Sequence, residues 1–178
     1  MSFKIMADNG VSVSAKQDGA LYNVALGNRN FIFKNIGNEF ALSNVGLVVS
    51  VDTGEAVVHG RHITAEEVNT ITLPSNESGY LVLRVDLTQA IGEEAYLYAT
   101  PTLSSEEINW GGTINDLVLA EFTTGSIDIT TLTDAREIIE KVGATKTSEL
   151  TNDSGFLTKI TENTEFNISG VTFKIVSA

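Results

Sequence analysis

The sequence predicts an all-β protein, an antiparallel β-sandwich carrying one or two short helices. Three observations predict it. Short runs alternate apolar and polar residues with period 2, as in Leu81, Leu83, Val85 and Leu87 set against Val82, Arg84 and Asp86. Turn residues punctuate those runs about every ten residues, giving roughly eight to ten strands, a spacing typical of sandwiches and barrels. The two prolines, Pro74 and Pro101, close such runs and interrupt none of them.

Taken in order, residues 3–17 read as an extended arm in which Val11 and Val13 alternate with Ser12 and Ser14 after the breaker Asn9-Gly10. Asp18 then caps a short helix whose face is Ala20, Leu21, Val24 and Ala25, ended by Gly27-Asn28; another strand is the alternative there. Residues 31–33 are strand-like, Ile36-Gly37-Asn38 turns the chain, and residues 40–42 continue it.

Residues 45–63 read as a hairpin. Leu47, Val49 and Val51 point one way and Val48 and Ser50 the other, Asp52-Thr53-Gly54 makes the turn, and residues 56–59 return. Gly54 and Gly60 suit tight turns or bulges.

A strand at 70–73 stops at Pro74, and the loop 75–79 leads into the strand 80–87. Ala95, Leu97 and Ala99 alternate with Tyr96 and Tyr98 up to Pro101, and a loop follows that holds Trp110-Gly111-Gly112. Residues 117–122 are apolar on both parities except at Glu121, which predicts a strand covered on both faces. Gly125 turns the chain, Ile127 and Ile129 alternate, and residues 134–142 read as a second short helix.

This divides the chain into a sandwich domain (1–142), a polar Thr- and Ser-rich linker (143–160) and a C-terminal hairpin (161–178). In the hairpin Phe166 and Ile168 precede Ser169-Gly170, and Val171, Phe173 and Ile175 follow. A lone two-stranded hairpin is marginal in water. These five apolar residues are therefore expected to be covered, by the main domain or, on the sharper reading, by another copy of the chain.

Charge narrows the partners. Eleven Lys and Arg against 23 Asp and Glu leave a net charge of -12, which repels nucleic acid and anionic membranes. There is no cysteine, hence no disulfide and no thiolate ligand or nucleophile. The first residues lack the apolar core of a secretion signal, and no run reaches the roughly 20 apolar residues of a membrane span. Synthesis in a cytoplasm is expected.

Few residues invite chemistry. His59 and His62, three apart on a strand, face opposite sides with no third ligand fixed nearby, so each reads as a satisfied or surface imidazole and no metal is expected; no other cofactor is assigned. Glu93-Glu94 and Glu106-Glu107 are carboxylate pairs, but a glycosidase needs two carboxyls facing across a bond, one with a raised pKa. Adjacent loop glutamates are ordinarily just solvated. No Gly-x-Ser-x-Gly occurs and bases are scarce, so no catalytic residue is assigned. Trp110 with Tyr96 and Tyr98 offers an aromatic platform for a sugar ring. The favoured alternative is a tryptophan that closes the end of the core.

Three stretches carry a resemblance. LVLAEFTTGSIDITTLTDAREI (117–138), ending in Asp134-Ala135-Arg136, resembles a closing pattern of phage tail-tip and tail-fibre proteins. KTSELTNDSGFLTK (146–159) is similar to a linker recurrent in tail fibres and baseplate proteins. The span from Asp18-Gly-Ala-Leu-Tyr to VVHGRHI resembles a domain of siphophages of Gram-positive hosts, related to the N-terminal shoulder domain of lactococcal phage receptor-binding proteins.

The resemblance implies a β-sandwich in the virion tail, self-associated as a trimer or a multiple of three and docked to other tail proteins. No room remains after the linker for a separate saccharide-binding head, so a structural or adaptor role is expected and no receptor-binding residue is carried over. The rivals are a module that binds host cell-wall saccharide through Trp110, Tyr96 and Tyr98, and a wall hydrolase using Glu106 or Glu107.

Overall fold

The computed structural model describes residues 15–140, 165–168 and 171–174. Residues 3–14 of the expected arm, the linker at 143–160, and Ile175 lie outside the described residues, while residues 15–17, expected in the same extended arm, are helical. The chain divides into two units, Met1–Val142 and Gly143–Ala178.

The first unit opens with helix α1 (Ala15–Ala25). Its strands follow in chain order as β1 (Phe31–Gly37), β2 (Leu42–Val45), β3 (Val48–Val51), β4 (Gly54–Val58), β5 (Arg61–Ala65) and β6 (Asn69–Thr72). Beyond them come β7 (Ser78–Asp86), β8 (Ala95–Thr100), β9 (Ile114–Thr124), β10 (Ile129–Asp134) and β11 (Ile138–Ile139). They form three sheets, ordered β11-β1-β4-β5, β2-β3-β6 and β10-β9-β7-β8. All pairings are antiparallel except β1 with β11.

The core lies between these sheets, as the alternating pattern demands. Ile32, Ala56 and Val58 come from the first, Val49 and Val51 from the second, and Leu81, Leu83, Val85, Leu117, Leu119, Ala120 and Phe122 from the third. The fold is an all-β, sandwich-like architecture. Among the described residues no helix is long and apolar enough to cross a membrane.

Helix α1 ends as the sequence predicts. Gly27 (φ 72) and Asn28 (φ 56) are left-handed, and their amides bond the carbonyls of Val24 and Asn23, which is a Schellman stop. Its start and its face differ from expectation. Asp18 lies inside the first turn, and Leu21 and Val24 are exposed while Gly19 and Asn23 are buried. The reason is that the helix meets the sandwich at a polar end, where its backbone rather than an apolar stripe makes the contact.

Three more expectations are corrected. Asp52-Thr53-Gly54 does not close a hairpin, because β3 and β4 belong to different sheets and these residues carry the chain between them. The Thr53 carbonyl accepts from the amides of Asn38 and Phe40, so the crossing is pinned to the turn after β1. The true hairpins are β2–β3 around Gly46-Leu47 and β4–β5 around His59-Gly60.

Residues 117–122 are not covered on both faces. Leu81 pairs with Ala120 and Val82 with Val118, so Leu119 is an extra residue that bulges from β9. The bulge slips the phase of alternation by one: Leu117 and Leu119, then Ala120 and Phe122, all reach the core, while Glu121 stays exposed.

Residues 134–140 are not helical. Asp134 accepts the amide and guanidinium of Arg136, and Arg136 donates to the carbonyl of Glu39 at 2.7 Å. Held extended in this way, Ile138 pairs beside Ile32 and packs on the core. Burial of one isoleucine on a sheet edge outweighs a weak helical period.

In the second unit β12 (Glu165–Ile168) and β13 (Val171–Lys174) form an antiparallel hairpin, with Phe166 opposite Phe173 and Ile168 opposite Val171.

Candidate functional site

Two polar constellations and one pair of exposed aliphatic side chains stand out. The first constellation gathers at the end of the sandwich where α1 sits. His59 and Gly60 form the β4–β5 turn with φ of 51 and 78, the two left-handed residues of a type I′ hairpin. Gly60 is needed twice over, for its φ and for space. A Cβ there would lie 2.0 Å from the Gly19 carbonyl oxygen, so α1 rests directly on the turn.

Asn109, from the loop 101–113, ties the pieces together. Its Oδ1 accepts from Arg61 NH1 at 2.8 Å, and its Nδ2 donates to the His59 carbonyl at 3.0 Å and to the Gly19 carbonyl at 3.4 Å. Asn30 Oδ1 accepts the His59 amide at 2.8 Å, and Asn30 Nδ2 donates to Asn115 Oδ1 at 2.6 Å. The His59 side chain is only 6% exposed, and its Nε2 lies 3.3 Å from Glu107 Oε2 at the surface. Burial is the main cause holding the His59 pKa below its ordinary value, with Glu107 opposing and Arg61 assisting.

The second constellation lies on the outward parity of β7, β8 and β9. Arg84 Nε and NH2 donate to the two carboxylate oxygens of Asp116 at 2.7 and 2.8 Å, and Asp116 also accepts the Ser104 amide at 2.8 Å. The guanidinium lies 4.2 Å from the centroid of the Tyr98 ring, a cation–π contact. Asp86 accepts from the Thr88 hydroxyl and amide and from Gln89, which lowers its pKa to about 2. Tyr96 donates to the same carboxylate at 3.4 Å.

The aliphatic pair is at the opposite ends of β3 and β9. There the β2–β3, β6–β7 and β9–β10 connections meet, through bonds from the Leu73 amide to the Leu47 carbonyl and from the Asn76 amide to the Gly125 carbonyl. Val45 and Ile127 stand at the tips of that cluster, 85% and 80% exposed.

No protein-family model and no curated protein matches this chain.

The residues singled out in the sequence are dispersed among these regions. Trp110 is 70% exposed, so it does not close the core; Ile108 and Asn109 beside it are the buried members of its loop. Tyr96 and Tyr98 make an edge-on pair at 6.1 Å and are engaged with Arg84 and Asp86. Among the described residues no ring contact joins them to Trp110.

His59 is buried in the turn while His62 is exposed on β5, bonded to Glu55 at 2.6 Å. Glu106 accepts the amides of Thr113 and Ile114, and these bonds lower its pKa, the reverse of what a general acid needs. Its neighbour Glu107 faces His59 instead.

Sequence reasoning passed over Asn23, Asn30, Asn109, Asn115, Arg84 and Asp116. The one available signal was Asp116 at the edge of the apolar run 117–122, since a charge covered there needs a partner.

Proposed function

We propose that the chain is a non-enzymatic structural subunit of a bacteriophage tail tip or baseplate, an oligomeric scaffold or adaptor of the host-adsorption apparatus. In this reading it resides in the virion, associates with itself as a trimer or a multiple of three, and docks to other tail proteins. The observation that carries it is the exposure of Val45 and Ile127 together at one end of the sandwich. Large aliphatic side chains at a strand end and on a turn, where a sandwich is most solvated, suit burial against a neighbour. Repeated identical contacts in a ring make even small patches sufficient. The resemblance of residues 18–63, 117–138 and 146–159 to tail components supports the same reading.

Light scattering tests it. The full chain is expected to be an oligomer, and a version ended at Gly143 is expected to dissociate at higher concentration than the full chain does. A monodisperse monomer for both would end the assembly reading.

A second reading has its own observation in the exposure of Trp110. An indole face open to solvent can stack on a sugar ring, which would make the chain a module for host cell-wall saccharide. Binding of the purified chain to wall polysaccharide, lost in Trp110→Ala, is the result this reading expects. Silence across wall polymers would remove it.

A further inference from the structure

His59 occupies a position that hairpin chemistry assigns to another residue. A type I′ turn favours Asn-Gly, because both central residues take positive φ. Placing an imidazole there, and burying it to 6% exposure, adds desolvation to backbone strain. An outlier of this kind points to a role for the ring.

The neighbours fix where its proton sits. The guanidinium of Arg61 can only donate, so the atom of Asn109 it reaches at 2.8 Å is the carbonyl oxygen. The Asn109 NH2 therefore faces His59, 3.0 Å from its carbonyl and 3.4 Å from its Nδ1. An amide NH2 only donates, so a hydrogen on Nδ1 would have no acceptor there; the ring therefore carries its hydrogen on Nε2, toward Glu107 Oε2 at 3.3 Å. A second proton would add to Nδ1 and point at the amide N–H. Turning Asn109 over gives no relief, since the NH2 would then meet the Arg61 guanidinium.

We propose that His59 is a proton-operated latch. Neutral, it lets Asn109 tie α1, the β4–β5 turn and the 101–113 loop into one junction; protonated, it breaks that tie and frees α1 from the end of the sandwich. The charged groups acting on the ring are Glu107, which favours the proton, and Arg61, which opposes it. The other elements at the junction present uncharged groups, the Gly19 carbonyl of α1 and the amides of Asn30 and Asn115.

The direction with pH follows. Burial holds the ring pKa of the closed form below its ordinary 6.5. The closed junction is at full strength above that value and loses strength as pH falls through the depressed one. Each pKa unit between open and closed forms is tenfold in the opening equilibrium.

Hydrogen exchange of the α1 amides in the full chain, corrected for the intrinsic rate, reads the latch directly. Exchange is expected to be flat with pH above the ordinary imidazole range and to accelerate several-fold below it. His62→Gln should keep the step. His59→Asn, which suits the turn and carries no charge, should abolish it, and Glu107→Gln should move it to lower pH.

A flat profile in the wild-type chain, or an acid step that survives in His59→Asn, overturns the proposal. Should His59→Asn fail to fold, the ring resonance of His59 in the His62→Gln protein decides. A titration midpoint at or above 6.5 refutes the latch, and one below it, coincident with the exchange step, supports it.

Discussion

Gly60→Ala is expected to unseat α1 and to destabilise the sandwich unit by on the order of 3 kcal/mol. Two costs combine at this position. The backbone is left-handed, with φ of 78, which an alanine adopts at a penalty of about 1 kcal/mol. The added methyl carbon would also lie 2.0 Å from the Gly19 carbonyl oxygen and 2.6 Å from the Asn23 nitrogen. Both are helix backbone atoms, which cannot rotate aside as a side-chain tip would, so the helix must move off the turn.

Gly27→Ala separates the two costs. It has a similar φ of 72 but nothing within 4 Å of its Cβ, so it should show the backbone penalty alone, about 1 kcal/mol. Urea unfolding of both variants gives the comparison. Equal losses would mean that α1 is not seated on Gly60.

The strands were legible because their signal is local. Val49 and Val51 against Val48 and Ser50 declare a buried face within a few residues; in β7 Leu81, Leu83 and Val85 reach the core as expected, but Val82 and Asp86 of the other parity are buried too and Leu87 is exposed. Failures arose wherever the deciding contact was distant. The bulge at Leu119 exists only relative to β7, so residues 117–122 looked covered on both sides when the alternation had merely slipped. Residues 134–140 carry enough helical spacing to mislead, and only the edge of β1 and the carbonyl of Glu39 hold them extended. Helix α1 was placed well and faced wrongly, since its partner surface is the backbone of a turn.

The polar junction was less legible still. Asn109 bonds Arg61 and Gly19, 48 and 90 residues away, and an asparagine in a loop carries no mark of burial. His59 was visible as a residue, but it stands in the turn and not on a strand. Its neighbour Gly60 announced a turn, yet nothing local says that a helix lies on that turn. Trp110 shows the reverse error. A large aromatic ring is a good candidate for a core, but the buried members of its loop are Ile108 and Asn109.

Asp116→Ala is expected to cost about 3–5 kcal/mol, the price of leaving a buried guanidinium without its partner. The Asp116 side chain has no exposed surface and that of Arg84 is 12% exposed, so water cannot replace the lost carboxylate. The Ser104 amide loses its acceptor as well, which loosens the loop that brings Asn109 to His59. The double variant Arg84→Met with Asp116→Leu should recover most of the loss, because apolar residues of similar volume substitute well for a buried pair. The surface pair Arg29–Glu137 offers the contrast: both side chains are about half exposed, and breaking it should cost under about 1 kcal/mol. Salt sharpens the distinction, since mobile ions screen an exposed pair and scarcely reach a buried one. Urea titrations of these three variants at low and high ionic strength should therefore show a large, salt-insensitive loss for Asp116→Ala. A loss there as small and as salt-dependent as that of the surface pair would mean that the Arg84–Asp116 bridge is solvated and that Ser104 is held by something else.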